Sequence, residues 1–104
     1  MSRPLVLILS TDQADRVKMA LELVSAHAAL GALTHLHFDM GAIRCVAAHR
    51  STIREAQSLG VSVSMCPTGL ADHDIDPALI EGAESYGLVA LLSSIDDAAR
   101  LIVI

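Results

Sequence analysis

Short apolar runs separated by stretches of helical period are what most restrict the folds open to this chain. Leu5 to Leu9 (LVLIL), Leu33 to Phe38 (LTHLHF), Val61 to Met65 (VSVSM), Leu88 to Leu92 (LVALL) and Leu101 to Ile104 (LIVI) each have strand length. The first and the last two are unbroken apolar runs, the pattern of strands covered on both faces and hence of a largely parallel sheet. Parallel neighbours need a crossover, usually a helix, so the intervening segments are expected to coil. The resulting expectation is a three-layer α/β/α domain with a five-stranded, mainly parallel sheet, flavodoxin-like in class, spanning residues 1–104 without linker, repeat or low-complexity tract.

The connections carry their own signals. Asp12 is placed to cap a helix whose Ala14, Val17, Leu21, Val24 and Ala28 form one apolar stripe ending before Gly31. GAIRCVAAH allows a helical turn or two. In TIREAQSL, Thr52 and Glu55 have the spacing of a capping box, with Gly60 as terminator. Asp76, Pro77 and Gly87 bracket a further expected helix, and Ser94 with Asp97 is expected to open a short one before the last strand. Right-handed crossovers bring the carboxyl ends of parallel strands to one edge, where open α/β sheets bind ligands. Ser10 to Asp12, the segment after Phe38, Cys66, and Ser93 with Ser94 are expected there.

Composition removes several function classes. Seven Lys and Arg against twelve Asp and Glu give a net charge of −5. There is no basic run and the aromatics are Phe38 and Tyr86 alone, so the electrostatic footprint of nucleic-acid binding is missing. The Leu5 to Leu9 run is too short for a membrane span and lacks a cleavage signature, which gives a cytoplasmic expectation with no membrane partner. The chain is 53% hydrophobic, more than a small monomer normally hides, so part of the surplus is expected in contacts between copies. No GxxxxGK[ST], GxGxxG or GxSxG motif occurs, nor the acidic cluster and distal Lys of a response regulator.

With two cysteines, Cys45 and Cys66, in such a compartment, free thiols are expected rather than a disulfide. In VSVSMC, Val61, Val63 and Met65 alternate with Ser62, Ser64 and Cys66, so the sulfur continues the small polar face and arrives at a strand's carboxyl end. Pro67 must stop the strand, and Thr68 is placed to cap the short helix that follows. A thiolate there would face free backbone N–H groups, a setting that can lower a cysteine's pKa from about 8.5 to between about 3.5 and 7.5. A small buried hydrophobe is the other reading of Cys66, and the spacing leaves both open.

The segment GVSVSMCPTGLADHDID, the following LIEGAESYGLVALL, and the opening LVLILSTDQADRVKMALELVSAHAALG together resemble the DsrE/TusD-like family of small sulfur-relay proteins. The resemblance extends over the chain. It implies a DsrE-like (YchN-like) α/β domain assembling into dimers, trimers or hexamers. It also implies that Cys66 holds a persulfide, taken from a donor protein and passed to an acceptor protein's thiol, with no metal or organic cofactor. His73 is a possible supporting donor, with a surface residue of an acidic loop the favoured reading, and Thr68 is a possible supporting cap. Relatives often carry Gly after the histidine, whereas here Asp74 follows His73 and joins Asp72 and Asp76 in an acidic loop. Asp tolerates left-handed backbone better than most residues, so the turn is expected to survive. Some relatives are assembly partners without chemistry, which keeps an inert Cys66 in an oligomeric binding module as the alternative.

Two further sets of residues have candidate chemistry. His35, His37 and Asp39 alternate along one strand and share one face, in the proportion of a two-His, one-carboxylate metal site. Metal ligands usually come from separate elements, so a polar strand face turned to a neighbour is the expectation, with no metal assigned. His27 and His49 have no partner at ligand spacing, and Cys45 is expected in packing, or as a resolving thiol if it approaches Cys66.

Overall fold

The computed structural model describes residues 3–104. Five parallel strands, β1 (Leu5–Leu9), β2 (Thr34–Phe38), β3 (Val61–Met65), β4 (Glu84–Ser85) and β5 (Arg100–Val103), form one sheet in the order β4-β3-β2-β1-β5. The helices are α1 (Ala14–Ala29), α2 (Arg50–Ser58), α3 (Pro67–Asp72) and α4 (Leu88–Ser94), with 3-10 turns at Met40–Cys45 and Pro77–Leu79. This is the expected three-layer α/β/α arrangement. No helix among the described residues is long and apolar enough to cross a membrane.

The layers follow from the alternation of side chains along each strand. Leu7 and Leu9 of β1, Leu36 and Phe38 of β2, and Val61, Val63 and Met65 of β3 meet Val17, Leu21 and Val24 of α1 and Ile53 and Ala56 of α2 in the main core. Phe38 is wholly buried there, a burial worth roughly 1.5–3 kcal/mol for a side chain of this size. Val6 and Ile8 point the other way and meet Leu91 of α4. β1 is thus buried at every position, which is why its run is unbroken. α1 ends as its stripe implies, with Gly31 at φ +85°, and α2 ends at Gly60 with φ +107°.

Several expectations about the elements are corrected. Leu88–Leu92 is the body of α4, not a strand. A five-residue run of Leu, Val and Ala has no period to separate the two states, and Leu and Ala are strong helix formers. The fourth strand is instead the two-residue Glu84–Ser85, exposed and without apolar signal. β5 lies at the sheet's edge and is largely exposed, not covered on both faces. At α1 the N-cap is Gln13, whose N–H donates to Thr11 Oγ1, because the Asp12 carboxylate is engaged by Arg44 Nε at 3.0 Å. That guanidinium, through its hydrogen bond and charge, holds Asp12 below the usual carboxylate range. Thr52 and Glu55 lie inside α2, which starts after His49, so the capping box does not form. Asp76 does cap through its side chain, accepting from Ala78 N–H at 2.8 Å, but the turn is only Pro77–Leu79 because Ile80 turns extended and is drawn into the core. No helix opens after Ser94; Asp96 accepts from Ala98 N–H in a tight turn into β5.

Candidate functional site

The carboxyl edge of the sheet is built by β2, β3 and β4, which run in strict register. His35 pairs with Ser62, His37 with Ser64 and Phe38 with Met65, while Ser64 pairs with Glu84 and Met65 with Ser85. The ladder goes one step further: Cys66 N–H donates to Phe38 O at 3.0 Å and Tyr86 N–H to Met65 O at 3.1 Å. Asp39 and Cys66 keep extended backbone, so alternation carries Asp39, Cys66 and Tyr86 to the face already bearing His37 and Ser64. Neighbouring strands are about 4.8 Å apart. Cys66 therefore stands between Asp39 on one side and Tyr86 on the other.

Cys66 is half-buried and unpaired, and it is the N-cap of α3. Pro67, lacking an N–H, takes the first helical position at no cost, and the amides of Thr68 and Gly69 open the helix without intrahelical partners. Thr68 is thus the second residue of the helix and not its cap, and the Cys66 side chain at the N-cap makes no capping hydrogen bond. Gly69 is fixed by packing: a Cβ there would lie 2.8 Å from Ile43 Cγ1, so the first turn of α3 rests directly on the 3-10 turn after β2.

The far end of α3 is a Schellman motif. Ile75 N–H donates to Leu70 O at 2.9 Å and Asp74 N–H to Ala71 O at 3.2 Å, with Asp74 at φ +53°. The turn therefore forms with Asp in the left-handed position, as the tolerance of Asp for that backbone implies. His73 is the C-cap, about 10 Å along the helix axis from Cys66. Since Gly occupies this conformation without a Cβ penalty, Asp74→Gly is expected to raise stability by about 0.5–1 kcal/mol, read from urea midpoints at constant slope.

Cys45 is a different kind of thiol. It is buried and donates to Ala42 O at 3.0 Å, and burial, with the nearby Asp12 charge, pushes its pKa up. The packing expectation for it holds.

The residues raised as a metal set are joined by hydrogen bonds instead. His37, wholly buried, has Nδ1 2.7 Å from Ser64 Oγ and Nε2 3.3 Å from Asp39 Oδ2. His35 Nε2 is 2.7 Å from the same Ser64 Oγ and 3.2 Å from the Tyr86 hydroxyl. Asp39 Oδ1 also accepts from Met40 N–H at 2.8 Å, holding Met40 at φ +49°. Among the described residues no group of three or more His, Cys, Asp or Glu is arranged to hold a metal ion. Desolvation lowers the pKa of both imidazoles, opposed at His37 by Asp39 and at His35 by Glu84. Sequence reading missed Ser64 and Tyr86 as members of this network; the polar alternation in VSVSMC was the visible sign of Ser64, and nothing local marked Tyr86.

Ser93 and Ser94 do not reach the carboxyl edge. Ser94 shares an open cavity of about 260 Å³ with Pro4, Leu33 and Gly60, which precede the strands. That cavity lies under α4, and its walls include His35, Ser62, Tyr86 and Asp96.

No protein-family model matches the sequence. No curated protein matches it significantly. Solved structures do share its shape. A conserved protein of unknown function from Bacteroides thetaiotaomicron superposes with a TM-score of 0.83 at 16% identity, covering 98% of this chain and 95% of that one. A protein of unknown function from Methanobacterium thermoautotrophicum gives 0.81 at 15% identity over 99% and 100% of the two chains. The YchN protein of Escherichia coli gives 0.69 at 16% identity, with 100% of each chain covered. At such identities the likeness speaks for architecture alone, and on it this chain has the YchN-like α/β fold.

Proposed function

We propose that the chain is an intracellular sulfur carrier of the DsrE/TusD kind, holding a persulfide on Cys66 and passing it to a thiol of a partner protein. The observation that supports this most is the contrast between the two thiols. Cys45 is sealed and spends its hydrogen on a carbonyl, whereas Cys66 is partly open at the ligand-binding edge of a parallel sheet, before two helix-opening amides. The thiolate of Cys66 attacks the outer sulfur of a donor persulfide, and the donor's inner sulfur leaves with the bonding pair. The test is incubation with a persulfide donor followed by mass spectrometry of the Cys66 peptide. One added sulfur is expected there and none on Cys45; an unmodified Cys66 beside a loaded control carrier overturns the proposal.

Self-association belongs to the same reading, and it also serves the alternative of a binding module with an inert Cys66. Val89 is 86% exposed, and Leu88 and Leu92 of α4 and Leu101 and Val103 of β5 are exposed as well. β5 also ends the sheet with an unpaired edge. Val89→Asp with Leu92→Asp is expected to lower the mass measured by light scattering to that of one 10.9 kDa chain, while circular dichroism stays unchanged. An unaltered mass would remove α4 from the interface.

A further inference from the structure

The buried network has a direction. A carboxylate can only accept, so Asp39 fixes the proton of neutral His37 on Nε2. His37 Nδ1 is then the acceptor, and Ser64 Oγ–H donates to it. Having spent its proton, Ser64 Oγ accepts from His35 Nε2–H, which the Tyr86 hydroxyl oxygen shares at 3.2 Å. His35 Nδ1 is left without a proton, on a side chain that lines the open cavity under α4. Every donor in the column thus points from the cavity toward Asp39, the neighbour of Cys66 in the register.

We propose that His35, Ser64, His37 and Asp39 form a proton relay that delivers a proton from the cavity to the Cys66 sulfur when that sulfur departs as a thiolate. The task rests on the persulfide reading of Cys66; the order of the protons does not. During unloading an acceptor thiolate attacks the outer sulfur. The new acceptor sulfur–sulfur bond forms, the bond to Cys66 Sγ breaks, and the pair stays on Sγ. Asp39 hands Sγ a proton that it receives from His37 Nε2. His37 Nδ1 takes the Ser64 proton, Ser64 takes the proton of His35 Nε2, and His35 Nδ1 takes one from water in the cavity, which is open to solvent and releases the hydroxide there. Each imidazole ends neutral in its other tautomer, and Asp39 ends, as it began, a carboxylate. The charged and titratable groups facing the column are Asp39, Glu84, Tyr86 and, across the cavity, Asp96. Asp39, His37, Ser64 and His35 act through one another, and of the four it is Asp39 that the register of β2 against β3 sets beside Cys66.

Nitrogen-15 NMR of the histidine rings at pH 7 tests the direction: both rings are expected with the proton on Nε2 and a bare Nδ1. Unloading of the wild-type persulfide to dithiothreitol is then compared with Ser64→Ala, which cuts the column midway, and His35→Phe, which cuts it at the cavity wall and leaves Ser64 in place. Both are expected to unload about a hundredfold more slowly, the low end of what a positioned acid supplies. Ser64→Thr, which keeps the hydroxyl, is expected to restore most of the rate. Loading with wild-type unloading rates in both cut variants overturns the relay, as does a proton on His37 Nδ1. A wild-type chain with the expected tautomers that never loads overturns the persulfide reading and with it the task assigned to the relay.

Discussion

Cys66→Ser is expected to abolish sulfur loading completely while the fold and the assembly persist, and Cys45→Ser to leave loading intact. The difference follows from where the two sulfurs sit. Serine replaces Cys66 at an N-cap, a position serine favours, with an oxygen able to accept from the opening amides of α3. The variant is therefore expected to be as stable as the parent or up to about 1 kcal/mol more so. An oxygen at that place cannot form a persulfide, so the loss is total and not graded. Cys45 is buried, and its replacement keeps a donor against Ala42 O but puts a polar hydroxyl where an apolar sulfur packed; a cost of about 1 kcal/mol or more in stability is expected there, with no cost in loading. The measurement is the mass of each cysteine peptide after donor treatment, alongside light scattering and thermal melts. Loading of Cys66→Ser at wild-type level would move the chemistry to the other sulfur. Loss in both variants would mean that Cys66 carries sulfur only with help from Cys45.

Much of the frame was legible because burial and periodicity coincide there. β1 reads as unbroken Leu, Val and Ile since α1 and α4 cover its two faces, and α1 reads as a stripe since only one side of it is buried. Cys66 was legible for a simple reason: Pro67 ends a strand whose alternation was already clear. The failures have an equally definite cause. Leu88–Leu92 is short and uniformly apolar, and the exposure of Val89 and Leu92 on one side of α4 leaves no trace in residue type. Glu84–Ser85 is a strand because β3 offers it an edge, a fact of tertiary structure. The column was half legible. Alternation placed His35, His37 and Asp39 on one face and Ser62 and Ser64 on another strand's like face, but joining them needs the register of β2 against β3. Only that register puts His37 opposite Ser64 and turns a supposed ligand set into a chain of donors and acceptors.

The same column makes the protein acid-sensitive. Burial depresses the folded-state pKa of His35 and His37 below the ordinary value, helped at His35 by the charge of His37 and opposed at His37 by Asp39 and at His35 by Glu84. The unfolded chain, whose histidines titrate near 6.5, therefore binds protons that the folded chain refuses. Their contribution to stability is complete above about pH 6.5 and is lost as pH falls from there to the folded-state values. Stability is therefore expected to fall as pH drops from about 6.5, with both rings contributing. Neutral His37 is also what the donor order requires: a second ring proton on Nδ1 would meet the Ser64 hydrogen and force that hydroxyl round toward His35. Urea melts across pH 5 to 8 should show the drop, and His35→Gln with His37→Gln should flatten it while lowering stability at pH 8, since glutamine cannot reproduce both ring contacts at His37. A stability profile of wild type that is level through this window would mean the two rings are as well solvated in the folded chain as in the unfolded one, which their burial against Ser64 and Tyr86 does not allow.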